Sequence, residues 1–201
     1  MSIPSPRFDE PLAEERDGFK FRSGRLALDF AATLAARLKP EPRELLATPA
    51  DLDRWLRAAG LGSAAEATPD ALSSARELRE ALYRLAMACI REVPFPTDDR
   101  DLVNRWAARS HSALQLGRQP GEADTAAEPW GPEPSLATVA RNGVALYSSA
   151  ESARIRQCAA CSILFVDASR ARRRRWCSMA ACGNKAKVAS HRRKQRGSRE
   201  A

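Results

Sequence analysis

The chain has 201 residues, 44% of them apolar, and a formal charge of +8, enough for one substantial domain and a small second one. No run approaches the roughly 18 apolar residues of a membrane span, and the opening MSIPSPRFDEPLAEERDGF lacks the apolar stretch of a signal peptide. These features argue against a membrane-spanning helical protein and for a cytoplasmic one with reduced thiols.

Residues 1–18, rich in Pro, Asp and Glu, read as disordered. Phe19 to Arg22 alternates like a short strand, and Ser23-Gly24 ends it. A helix is predicted from Arg25 to Leu38, stopped by Lys39-Pro40. Thr48-Pro49-Ala50-Asp51 supplies an N-cap, a first-turn proline and an acid for the next helix, which Gly60 closes. Thr68-Pro69-Asp70 repeats the signal for a longer helix to about Glu92. Its stripe of Leu72, Ala75, Leu78, Leu82, Leu85, Ala86 and Cys89 follows the helical period, so Cys89 reads as core. Val93-Pro94-Phe95-Pro96 breaks the chain. Thr97 opens another helix, with Leu102, Val103, Trp106, Ala113 and Leu114 on its buried side. Residues 117–134 are long for a structureless loop and are expected to hold short strands or a flexible segment. A last helix is predicted from Ser135 to about Ala153. It leads through Arg154-Ile155-Arg156 into the cysteines with no linker.

Four of the five cysteines fall between Cys158 and Cys182, as C-x2-C and C-x4-C with fifteen residues between the pairs. Cys158, Cys161, Cys177 and Cys182 thus have the spacing of a structural zinc site. Four soft thiolates suit zinc or an iron–sulfur cluster, and the short intervening loop favours one Zn2+. The alternatives are buried apolar cysteines or a disulfide pair, the latter disfavoured without a secretion signal. Ile163 to Val166 favours a strand, Asp167-Ala168-Ser169 a turn, and Arg173 to Trp176 is expected to return as a second strand. Ser178 can cap a helix over 179–195 with Cys182 in its first turns. Knuckle, β-hairpin and helix make a small treble-clef-like finger behind a helical N-terminal domain, in a mainly α chain.

Four thiolates leave no open position for a reacting water, so the metal reads as structural. The only histidines are His111 and His191, and no Ser-His-Asp set, Cys-His set or phosphate-binding glycine loop is readable. An enzyme is not expected. His191 lies nine residues past Cys182, too far along a helix axis to share its ion.

Residues 154–201 carry 14 Lys and Arg against two acids, a net of +12, whereas the remainder has a net of −4. Such asymmetry is a nucleic-acid footprint. Candidate phosphate contacts are Arg172, Arg173, Arg174 and Arg175 on the expected strand and Lys185, Lys187, Arg192, Arg193 and Lys194 on the helix. Strand alternation turns only two of the four arginines to one side. Duplex DNA is the expected partner. A structured RNA, the ribosome or an acidic protein are alternatives, as is a basic tail that is merely solvated.

The string RRRRWCSMAACGNK, preceded by C-x2-C and by Phe165-x-Asp167-x-Ser169, resembles the CGNR zinc-finger family of bacterial transcription regulators. Here the name-giving motif reads Cys182-Gly183-Asn184-Lys185, a change that keeps the charge and loses the planar fork of arginine. RLALDFAATL is similar to the L-D-F-x-N-T pattern of the ABATE domain that accompanies this finger. Asp29 and Thr33 match, and Ala32 stands where the family has asparagine. The resemblance implies an ABATE-like domain over 19–153 and a finger over 154–196, and residues 197–201 are expected to be a disordered tail. It also implies a zinc-dependent, DNA-binding transcription regulator whose body senses a small-molecule effector or mediates assembly. Asp29 and Thr33 are its candidate ligand residues, or else internal hydrogen-bonding groups. Because so small a finger is rarely specific alone, a homodimer through the body is also expected.

Overall fold

The computed structural model describes residues 14–61, 66–109, 114–116, 123–125 and 131–197. The fold is mainly α. The body is built from α1 (Leu26–Ala31), α2 (Pro49–Ala58), α3 (Pro69–Arg91), α4 (Thr97–Ala107) and α5 (Pro132–Tyr147).

The start signals act as their chemistry requires. The Thr48 hydroxyl accepts the Asp51 N–H at 3.3 Å, and the Asp51 carboxylate accepts the Thr48 N–H at 2.8 Å, a reciprocal capping box. Thr68 caps α3 through the Ala71 N–H. Its end turns left-handed at Glu92 (φ 55°). The apolar stripe of α3 meets Leu136, Val139 and Ala140 of α5 and Leu28 and Phe30 of α1 in one core. Gly143 lets α5 approach closely: a Cβ there would lie 2.5 Å from Leu82 Cδ2 and 3.5 Å from the Ala27 Cβ.

Several elements depart from the sequence expectations. The helix expected over 25–38 stops after Ala31. The Thr33 hydroxyl donates to the Phe30 carbonyl, and Leu34–Ala35 (β3) pairs with Arg43–Glu44 (β4) around a left-handed Ala36 (φ 56°). Residues 15–16, placed with the disordered terminus, form β1 and pair with Phe19–Lys20 (β2). Asp17 and Gly18 between them both have positive φ (48° and 78°), the two-residue turn whose twist suits a hairpin. The α4 helix ends at Ala107, not near Leu114. Leu114 instead begins β5 (Leu114–Leu116), paired with β6 (Ala123–Thr125), and Ala113 lies outside the described residues.

The α5 helix stops at Tyr147 rather than Ala153. The Ser148 and Ser149 hydroxyls donate back to the Val144 and Leu146 carbonyls, and a 3-10 turn at Ala150–Arg154 follows. The chain then enters β7 (Ile155–Gln157), which pairs antiparallel with β8 (Leu164–Val166). The expected partner of β8, residues 173–176, is not a strand. Arg172 is left-handed (φ 50°), and the loop after β8 closes on itself through Asp167. The first cysteine pair therefore sits in the turn of the hairpin, not before it.

The two faces of this hairpin go to different cores. Ile155, Leu164 and Val166 join the core of the body, whereas Ile163 and Phe165 pack with Cys158, Cys177 and Cys182 in a second cluster. Ala32, at the end of α1, packs against that second cluster.

Candidate metal centre and basic surface

Three local structures carry the four thiols. Cys158 and Cys161 flank a tight turn in which the Ser162 N–H donates to the Cys158 carbonyl and the Cys158 N–H to the Ile163 carbonyl, with Ser162 left-handed (φ 65°). The Ala159 N–H donates to the Arg175 carbonyl at 2.9 Å, tying this knuckle to the segment that brings in Cys177. Ser178 then caps the last element. Its hydroxyl accepts the Ala181 N–H, and its carbonyl accepts from Cys182 and Gly183 in a wide turn over Met179–Gly183. The helix α6 (Asn184–Gly197) continues from it.

All four sulfur atoms lie within 4.8 Å of one another. Cys161 and Cys177 Sγ are 3.6 Å apart and Cys177 and Cys182 Sγ 3.7 Å. A zinc–thiolate tetrahedron with bonds of about 2.3 Å has sulfur–sulfur edges of about 3.8 Å. A disulfide needs about 2.05 Å. The geometry fits one tetrahedral ion and no disulfide. Without a central cation four crowded thiols cannot all ionise. The hydrogen bond from Cys177 draws Cys161 down to about 5, the same bond drives Cys177 upward, and burial raises Cys182 to about 11. Cys158, Cys161, Cys177 and Cys182 hold one structural zinc, which supplies the missing positive charge and orders the finger. Cys89, half-buried against the body core, takes no part.

Asp167 organises the outer loop. It is fully buried, and its carboxylate accepts the Ser169 N–H on one oxygen and the Arg174 N–H on the other, both at 2.9 Å. Burial works against its charge, but these bonds and the Arg174 guanidinium outweigh it and hold its pKa below the ordinary aspartate value. Arg174 itself donates to the Cys177 carbonyl at 2.6 Å and lies over the Phe165 ring at 5.1 Å. This arginine braces the metal loop, whereas Arg172, Arg173 and Arg175 are exposed. The alternation expected of a strand is absent. Glu14 is a further unanticipated contributor, accepting from the Ser178 hydroxyl at 2.7 Å and so joining the body to the finger.

On α6, Lys185, Lys187 and Arg192 are exposed, and Lys187, Val188, Arg192 and Gln195 share one shallow groove. Arg193 and Lys194 belong to the helix, but their side chains, like that of His191, lie outside the described residues. Asn184 donates from its amide to the Ala180 carbonyl at 3.2 Å, a local bond. The only carboxylate between residues 154 and 197, Asp167, is buried.

The candidate ligand residues of the body are bonded internally. Asp29 Oδ1 accepts the N–H groups of Arg22 (2.9 Å) and Ser23 (3.0 Å). Burial raises its pKa to about 6 against the pull of those bonds and of Arg16. Thr33, 1% exposed, is bonded to Phe30 as described.

Together these features define a helical protein with a structural four-cysteine zinc finger set into the edge of its core. Residues 24–150 match the ABATE family, described as putative stress-induced transcription regulator, and residues 154–195 match the CGNR zinc finger. The chain belongs to the ABATE family and carries the CGNR finger behind that domain. Both matched families are regulatory or zinc-finger types rather than enzymes. None of the curated proteins matches it. No helix among the described residues is long and apolar enough to cross a membrane.

Proposed function

We propose that the protein is a zinc-dependent regulator that binds duplex DNA through the finger, with the helical body responding to a small effector. The observation that carries this reading is how differently the two parts treat their cations. In the body, Arg22, Arg25, Arg37 and Arg54 meet carboxylates, as do Arg76, Arg79, Arg84, Arg100 and Arg109. Among the described residues no salt bridge involves a finger cation. Arg172, Arg173, Arg175, Lys185, Lys187 and Arg192 are thus exposed finger cations without a salt bridge, the kind of charge that favours polyanion binding. Phe165 is fully buried and Trp176 is partly buried against the metal cluster, so the finger offers no exposed aromatic pair on which single-stranded bases could stack, which favours a duplex over unpaired RNA. Pairing of two copies through the body would extend the site read, and sedimentation of the DNA complex tests it.

The test of DNA binding is fluorescence anisotropy of a labelled duplex against the zinc-loaded protein across a salt series. The logarithm of the affinity should fall linearly with log salt, and Arg173→Ala or Lys187→Ala should each reduce the slope by about one. No binding at about 50 mM salt, where such contacts are strong, would remove the proposal.

A further inference from the structure

Among the described residues, a cleft of about 350 Å3 lies between the body and the zinc knuckle, at the lower end of the roughly 300–1,000 Å3 typical of ligand sites. One wall is the β3–β4 pair and the end of α1, the other is the knuckle from Ala160 to Leu164, and Tyr83 of α3 completes it. Ala31, Leu34, Leu45, Ile163 and Leu164 give the walls of the cleft an apolar lining. Its charge is one-sided: Lys20, Arg37, Lys39 and Arg43 line it, and no carboxylate does.

Arg37 is already balanced, held by both oxygens of Glu80 and lying 4.1 Å from the centre of the Tyr83 ring. Lys20, Lys39 and Arg43 have no ion-pair partner among the described residues. Three cations without an ion-pair partner thus gather around one apolar hollow that no carboxylate lines. Neither Asp29 nor Thr33 lines it.

We infer that this cleft is a binding site for a small amphipathic anion, a carboxylate on an aromatic or aliphatic body, held by Lys20, Lys39 and Arg43 with its apolar part against Leu34, Leu45 and Ile163. The inference deepens the proposed effector response by giving it a place and a ligand class. Because one wall carries the metal ligand Cys161 and the other is β3–β4, an occupant touches body and finger at once. It binds their joined arrangement and stabilises it by mass action.

The experiment uses the full zinc-loaded chain without DNA and 1-naphthoate as probe, read by calorimetry and by thermal shift. One site per chain is expected, with a rise in melting temperature. Lys39→Ala/Arg43→Ala, at exposed positions, should weaken binding at least tenfold. Ala35→Phe, which fills the cleft from β3, should abolish it, while Lys187→Ala on α6 leaves it unchanged. Both variants must melt as the parent does, and Lys39→Glu/Arg43→Glu offers a second charge test if the alanine pair does not. The inference is overturned if 1-naphthylmethylamine binds as well as the acid, if inorganic phosphate alone displaces the probe, or if Ala35→Phe binds normally. Because no DNA is present, failure here leaves the DNA-binding proposal standing, and failure of DNA binding leaves this site standing.

Discussion

Replacing Asp29 with asparagine separates a structural carboxyl from a ligand-binding one. The Asp29 carboxyl is 8% exposed and accepts two backbone N–H groups on Oδ1, an acceptor role that the carboxamide oxygen of asparagine can keep. Burial nevertheless raises its pKa to about 6 from the 3.8 of an unperturbed aspartate. The folded state therefore holds this proton more tightly than the unfolded chain. The stability tied to Asp29 is present in full below about pH 3.8 and is lost as the pH rises through about 6. At about 1.4 kcal/mol per pH unit the loss amounts to about 3 kcal/mol by neutral pH. Asp29→Asn should match the parent near pH 4 and exceed it by up to about 3 kcal/mol at pH 7.5. Urea unfolding of both proteins from pH 4.5 to 8 measures this, and taking the difference removes every other titration, the zinc ligands included. A stability difference that does not change with pH, or an Asp29→Asn protein less stable throughout, would refute the reasoning. Unchanged 1-naphthoate affinity in the same variant would agree with Asp29 lying off the cleft.

The metal centre and the packing make further predictions. Chelating the zinc, or Cys177→Ser, should destabilise the body as well as the finger. Ile155, Leu164 and Val166 sit in the body core and contribute at most about 5–9 kcal/mol together, at roughly 1.5–3 kcal/mol per buried side chain; near-UV circular dichroism of the body tryptophans should fall with the metal. Gly143→Ala should cost about 1–3 kcal/mol, because its methyl meets the buried Leu82. Gly183→Ala should stay within about 1 kcal/mol, since the atoms it meets belong to the mobile end of Met179, an exposed side chain; chemical denaturation compares the two. Asp167→Ala should destabilise the finger by about 1–3 kcal/mol for each N–H left without its acceptor. Because Asp167 is held below its ordinary pKa, the stability it adds is present above that ordinary value and lost as the pH falls through its lowered one, which zinc retention under acid titration should follow.

What could be read from the sequence was local chemistry. Thr48, Thr68 and Ser178 cap where their side chains predict, because a cap needs only a hydroxyl and the next three residues. The four thiols converge as their paired spacing, the ligand pattern of a zinc site, predicts. The hairpin at Asp17-Gly18 has a turn dipeptide and Phe19 after it, but Glu15-Arg16 before it carries no strand preference, and the acidic composition masked the signal. The short α1 was harder: Leu34 to Leu38 keeps a helical rhythm, and only pairing with Arg43–Glu44 draws β3 out of it. The partner of β8 was least legible. Residues 173–176 look like a strand and lie within hairpin distance, yet one buried carboxylate at Asp167 closes the loop before they can pair, and β7 takes the place from the other side.

That exchange of partners changes what the finger is. Had β8 paired with residues 173–176, the finger would be complete in itself, joined to the body at one point and free to move against it. Pairing with β7 instead gives the finger a hairpin with two buried faces, so the metal cluster and the helical core share a wall. The Val166 N–H donates to the Ser23 carbonyl at 2.8 Å, Ala32 packs on the metal cluster, and Glu14 accepts from Ser178, the residue that caps the turn into α6. Ser23 and Ala32 bracket α1, which with α3 packs against this hairpin. A displacement of α1 by even a fraction of an ångström must therefore move β8 or open a gap, because close-packed interiors do not absorb such shifts silently. The basic surface of α6 lies one cap beyond that wall. The body and the turn into α6 are thus joined by direct contacts, Ser23 to Val166 and Glu14 to Ser178, rather than by a linker.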